Sequence, residues 1–178
     1  MLELKMEKNI TNDRELLKLI RSLKIKEDTN SLYTEEEIVK LKTYQILLFD
    51  YFLGKRLDSY LELFTSFLNS VISCDRFSQQ FITLRFKHIR EFDELMKQLE
   101  LMNSIEIPFS FLNEFNFDLN VIGITTIIDL ADQSCDALIS DELLLKIGGV
   151  REKGEIDENQ FREKIKQAFL EISKMKQC

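Results

Sequence analysis

The sequence predicts an all-α protein, an antiparallel helical bundle carrying an additional N-terminal helical extension. Three observations lead there. One Pro and five Gly in 178 residues leave little material for the many tight turns of an all-β fold. Long segments between these breakers repeat their apolar residues at i, i+3, i+4 and i+7, the period of a helix with one buried face. A composition of 44% hydrophobic and 31% charged residues is that of a chain able to bury a core. At this length one domain is expected, divided here into an extension over residues 1–56 and a bundle over 57–178.

The first helix of the extension would be capped by Asn12 or Asp13, carry Leu16, Leu17, Leu19, Ile20 and Leu23, and end before the polar stretch Lys26 to Ser31. Thr34 with Glu37 is a capping-box pair, each side chain placed to bond the other's backbone N–H. The helix it opens carries Ile38, Leu41, Leu48, Phe49 and Phe52 and would stop at Gly54. These helices could pack on the bundle or mediate dimerisation.

Leu57 to Leu101 organises the rest. Tyr60, Leu61, Phe64, Phe67, Leu68 and Val71 form one stripe; Phe77, Phe81, Leu84, Phe92, Leu95 and Leu99 form a second. A corner at 71–75 separates them, with Ser73 as cap and Asp75 at the positive end of the second helix. Asn103 to Pro108 breaks the pattern, and Phe109, Phe111, Phe115 and Phe117 mark an aromatic connection or short helix. Leu119 to Leu138 has the Val, Ile and Thr content of a strand but the length and later spacing of a buried helix, and is assigned as helix. Ser140 caps a short helix, Asp141 to Ile147, ended by Gly148-Gly149; Val150 to Ile156 is a charged loop. Asp157 with Gln160 caps a final helix bearing Phe161, Ile165, Ala168, Phe169 and Ile172.

No apolar run reaches the roughly 20 residues of a membrane span, and Met1 to Ile10 is too charged for a secretory signal, so a cytoplasmic location is expected. Cys74, Cys135 and Cys178 are an odd set without CxxC spacing and read as free thiols. The net charge of −7 is uneven: residues 1–56 hold 11 Lys or Arg against 10 acids, and 57–178 hold 13 against 21. Between Lys97 and Lys146 there is no Lys or Arg, but there are nine acids: Glu100, Glu106, Glu114, Asp118, Asp129, Asp132, Asp136, Asp141 and Glu142. Such a surface repels nucleic acid and attracts cations or a basic protein.

Motifs for chemistry are sparse. His88, the one histidine, lies on a helix stripe with no carboxylate, Ser or Cys partner indicated by spacing, and reads as a partly buried structural residue. Asp129, Asp132 and Asp136 share one helical face. They could bind a divalent metal, form an acidic surface resembling a phosphate backbone, or only be solvated; a metal would need ligands from a second element. Arg85, Lys87 and Arg90 precede Glu91, Asp93 and Glu94 and read as helix-surface ion pairs. Gly148-Gly149 lacks the following Lys-Ser or Lys-Thr of a phosphate loop.

The run LELFTSFLNSVISCDRFSQQFITLRF, over residues 61–86, resembles the opening of the colicin-D-type immunity proteins, in which a Leu/Phe-rich helix turns a short corner into a helix with spaced Phe and Leu. Ile128 to Ile172, with Asp129, Cys135-Asp136 and a terminal helix starting at IDENQF, is similar to that family's second half. The resemblance covers about residues 57–175; Ser70 stands where the family's corner carries Gly, and residues 1–56 have no counterpart in its short members. It implies a non-enzymatic helical bundle, without cofactor, that binds a basic nuclease toxin domain and blocks it. The toxin's positively charged cleft would be filled by Asp129, Asp132 and Asp136, with Asp141 and Glu142 as additions. A helical adaptor or homo-oligomer using the N-terminal helices is the alternative within binding proteins. A metal-dependent hydrolase built on Asp129 to Asp136 is the third class.

Overall fold

The computed structural model describes residues 16–22, 34–102, 107–117 and 121–177, and most of these lie in helices. In chain order they are α1 (16–22), α2 (Glu35–Gly54), α3 (Leu57–Leu68), α4 (Cys74–Leu101), α5 (Phe109–Leu112), α6 (Ile124–Ala137), α7 (Asp141–Ile147) and α8 (Glu158–Gln177). No strand occurs among the described residues; one isolated parallel bridge joins Leu138 to Ile156. The expected caps of the first helix, together with Leu23 and the stretch from Lys26 to Ser31, lie outside the described residues.

Local signals fix several helix ends. Thr34 Oγ1 accepts from Glu37 N at 3.2 Å while Glu37 Oε2 accepts from Thr34 N at 2.9 Å, completing the capping box. Ser73 and Ser140 accept from Arg76 N and Leu143 N at 3.3 and 3.2 Å. Asp157 and Gln160 exchange bonds of 2.8 and 3.1 Å at the start of α8. Gly148 takes φ +65° and closes α7 in the left-handed conformation that glycine adopts without strain. Gly54 ends α2 for another reason: a Cβ there would stand 3.0 Å from Val121 Cγ1, so the residue permits close packing rather than a left-handed turn.

The paired stripes of α3 and α4 meet through their rings. Phe67 and Phe77 lie 4.7 Å apart between centroids, and Phe161 from α8 packs on both, at 5.5 and 5.7 Å. Arg162 tethers α8 to the end of α3, donating to Phe67 O at 2.9 Å with its guanidinium over the Phe67 ring. α2 belongs to the same core, with Leu48, Phe52 and Leu53 buried among these elements, so it packs on the bundle. After it, Arg56 reaches Glu91 on α4 and Glu114 beyond α5, both at 3.2 Å, and stacks on Phe52.

The corner between α3 and α4 differs from expectation. α3 ends at Leu68, and Val71, expected on its stripe, lies beyond it and is exposed. Ser70 makes the turn with φ +59°, the one non-glycine residue at positive φ among those described. An L side chain pays roughly 1 kcal/mol or more for that conformation. Ser70→Gly should therefore raise the unfolding free energy by about 0.5–1 kcal/mol, the gain being reduced by glycine's freer unfolded chain. Urea denaturation checks this: an unchanged or lowered midpoint would count against strain at the corner.

Candidate functional site

The acidic row sits on α6, and the reason lies in how that helix begins. Residues 118–120 are outside the description, and the helix starts later than the apolar run, after Gly123 at φ +92°. No side chain of its own caps it. Asp50, buried on α2, does so instead: it accepts from Gly123 N and Thr125 N at 2.8 Å each and from Thr125 Oγ1 at 2.5 Å. Ile124, Ile127, Ile128, Ala131 and Cys135 then turn inward, which leaves Asp129, Asp132 and Asp136 along another side.

Asp129 and Asp132 share one cation. Arg85 of α4 donates to Asp129 Oδ1 at 2.7 Å with one nitrogen and to Asp132 with the other. Burial raises the Asp132 pKa above its usual value, as do the carboxylates of Asp136 and Asp129, and Arg85 opposes the shift. The side chain of Asp132 is 19% exposed and that of Asp129 43%. Asp136, one turn further, is exposed, and no described cation pairs with it. Arg85 therefore does not join the ion pairs expected along α4. Lys87 does, reaching Glu91 at 3.8 Å, while Arg90 bonds the Phe86 carbonyl. Arg85 follows Phe81 by four residues and precedes His88 by three; a cation on a buried stripe is the signal that could have revealed its outside partner.

The other candidates are also partnered. Asp141 pairs with Arg151, and Glu142 with Lys146 at 2.6 Å. Glu114 takes Arg56. The Lys- and Arg-free window is thus neutralised in part by cations from outside it, and the exposed acid left open on α6 is Asp136. Where a metal would have to sit between Asp129 and Asp132, the guanidinium of Arg85 supplies the positive charge. Among the described residues no group of three or more His, Cys, Asp or Glu side chains converges as a metal site.

His88 is 3% exposed and shares a 3.0 Å hydrogen bond, through Nδ1, with Tyr60 Oη, against the edge of Phe52. Burial lowers its pKa to about 4 and raises that of the Tyr60 phenol, so the pair is neutral near pH 7. Burial likewise pushes the Cys74 and Cys135 thiols up, to about 11 and about 12. Neither is activated as a nucleophile. A wide cleft of 880 Å³ opens beside α4, lined among others by Arg56, Lys87, Arg90, Glu91, Glu94 and Glu114. Its charges are balanced in sign, so it has no field selective for an anion. No helix among the described residues is long and apolar enough to cross a membrane. No family model matches the chain, and neither a curated protein nor a solved structure matches it.

Proposed function

We propose that this chain is a non-enzymatic binding protein that neutralises a basic nuclease toxin domain. The observation that carries the reading is the row on α6: three carboxylates on a rigid, cross-braced helix, with one arginine between the first two and Asp136 facing solvent. A mounted row of this kind steers a basic partner and forms charge-assisted hydrogen bonds with little ordering cost. That the basic partner is a nuclease toxin is taken from the resemblance of residues 57–175 to colicin-D-type immunity proteins read in the sequence.

The structure alters the weight of the residues. Within the row Asp136 and Asp129 are the acids most open to solvent and Asp132 positions Arg85; Asp141 and Glu142, each 78% exposed, stand in surface ion pairs with Arg151 and Lys146 that leave them open to a partner. Asp136→Lys should weaken association about tenfold at low salt and leave helicity unchanged. The test is recovery of the chain with its bound protein at about 50 and 500 mM salt, followed by an RNA-cleavage assay of that protein alone and in complex. Capture of a basic nuclease, released by salt and inactive when bound, is the expected result. A bound protein that is not basic, or binding insensitive to both salt and Asp136→Lys, counts against it.

The adaptor or oligomer reading has one observation in its favour. A shallow hollow of 370 Å³ between α2 and α4 is lined by Ile46, Phe49, Ile89 and Phe92, and Ile46 is 55% exposed. A mass that doubles with concentration, and returns to one chain in Ile46→Lys, would favour it.

A further inference from the structure

The hollow of 370 Å³ between α2 and α4 is floored by Phe49 and Phe92, whose ring centroids lie 4.8 Å apart. Its apolar surface continues along both helices. On α2, Val39, Lys42, Ile46 and Phe49 follow one another at three and four residues and so share one face. On α4, Phe86, Ile89 and Asp93 do the same. Val39, Ile46 and Phe86 are 51%, 55% and 57% exposed. Apolar residues aligned on two adjoining helices and meeting over one hollow differ from residues scattered singly, and such a patch marks an interaction site.

Two charges decide what covers it. Lys42 lines the hollow from α2 and Asp93 from α4; both are exposed, and the side chain of neither makes an ion pair or hydrogen bond among the described residues. The hollow therefore carries no net charge. A basic protein finds no field to attract it there, and an anionic lipid surface meets Asp93 as well as Lys42, on a chain of net charge −7. A second copy supplies what both side chains lack. A two-fold axis that sets Lys42 of one copy opposite Asp93 of the other also sets Asp93 opposite Lys42, so one docking satisfies both copies. We infer that the α2–α4 face is an isologous dimer interface, with Ile46 in its apolar centre and two reciprocal Lys42–Asp93 pairs fixing its register. The inference rests on the oligomer reading above, to which it adds the surface, the symmetry and the charge pairs. It also leaves room for a basic partner: none of the carboxylates of the α6 row lines the hollow, so a dimer formed here carries two open rows.

The test is sedimentation equilibrium of the full chain from about 1 to 500 µM, a range that brackets micromolar self-association. A mass of two chains is expected. Lys42→Glu or Asp93→Lys alone sets like charges face to face in two places and should weaken dimerisation at least about tenfold. Mixed in equal amounts, the two variants again place an anion opposite a cation in both pairs, and the mixed dimer should return to within about threefold of the parent. Both positions are exposed, so each variant should keep the parent's helicity and melt within about 2 °C of it. A dimer that neither charge reversal weakens, or that mixing does not restore, would overturn the inference and keep the oligomer reading. Growth beyond two copies would do the same, since it shows a head-to-tail contact that does not close. A mass of one chain throughout would overturn both. So would a single chain whose Ile46 face takes up phosphatidylglycerol vesicles or a different protein, with that uptake lost in Ile46→Lys.

Discussion

Asp50→Ala is expected to lower the unfolding free energy by about 3 kcal/mol, since it leaves two backbone N–H groups and the Thr125 hydroxyl without an acceptor where water does not reach. The carboxylate is 2% exposed and accepts all three bonds at the first turn of α6. It also places negative charge at the positive end of that helix. For a chain of this size the loss corresponds to roughly 10 °C in melting temperature. Asp50→Asn should cost about half as much, because one amide oxygen can still accept while the NH₂ faces donors. Thr125→Val should cost about 1 kcal/mol. Urea denaturation with an unchanged slope is the measurement, and a loss below about 1 kcal/mol for Asp50→Ala would refute the long-range cap. Because this cap sets where α6 starts, it also sets how Asp129, Asp132 and Asp136 face solvent. Partner binding should weaken in Asp50→Ala although Asp50 is buried away from any partner.

That cap also marks the limit of what could be read from the chain alone. Thr34 with Glu37, Ser73, Ser140, and Asp157 with Gln160 were legible because a capping side chain bonds a backbone three residues away. Asp50 was not, because its partners lie 73 and 75 residues further along. The apolar periods of α3, α4 and α8 were legible because each buries one face. Val71 was misplaced because the chain turns at Ser70, a residue with no marked preference for positive φ. The acidic window was legible as composition, but its electrostatics were not: Arg56, Arg85 and Arg151 reach it from other parts of the sequence. The exposed side of α7 was also hidden. Leu143, Leu144 and Ile147 have the spacing of a buried stripe, yet none of them is buried: Leu144 is half-buried and the other two are exposed.

Acid should destabilise the fold through His88. In the folded chain burial holds this imidazole at a pKa of about 4, against 6.5 for an unperturbed side chain, because a charged ring would sit without water beside Tyr60 and Phe52. Between those two values the unfolded chain takes up a proton that the folded chain refuses. Stability contributed by the neutral ring is therefore complete above about pH 6.5 and is lost as pH falls toward 4, by about 3 kcal/mol. Asp132 acts in the opposite direction at the lower end, since its raised pKa makes protonation favour the fold. The discriminating quantity is therefore the difference between wild type and His88→Gln, whose amide can keep a bond to Tyr60 but does not titrate. Plotted against pH, that difference should be level from 8 to 7 and fall steadily below 6.5. A difference that stays level down to pH 4 would mean that the ring accepts its proton in the folded state, and that the Tyr60–His88 pair opens to water without unfolding the core around it.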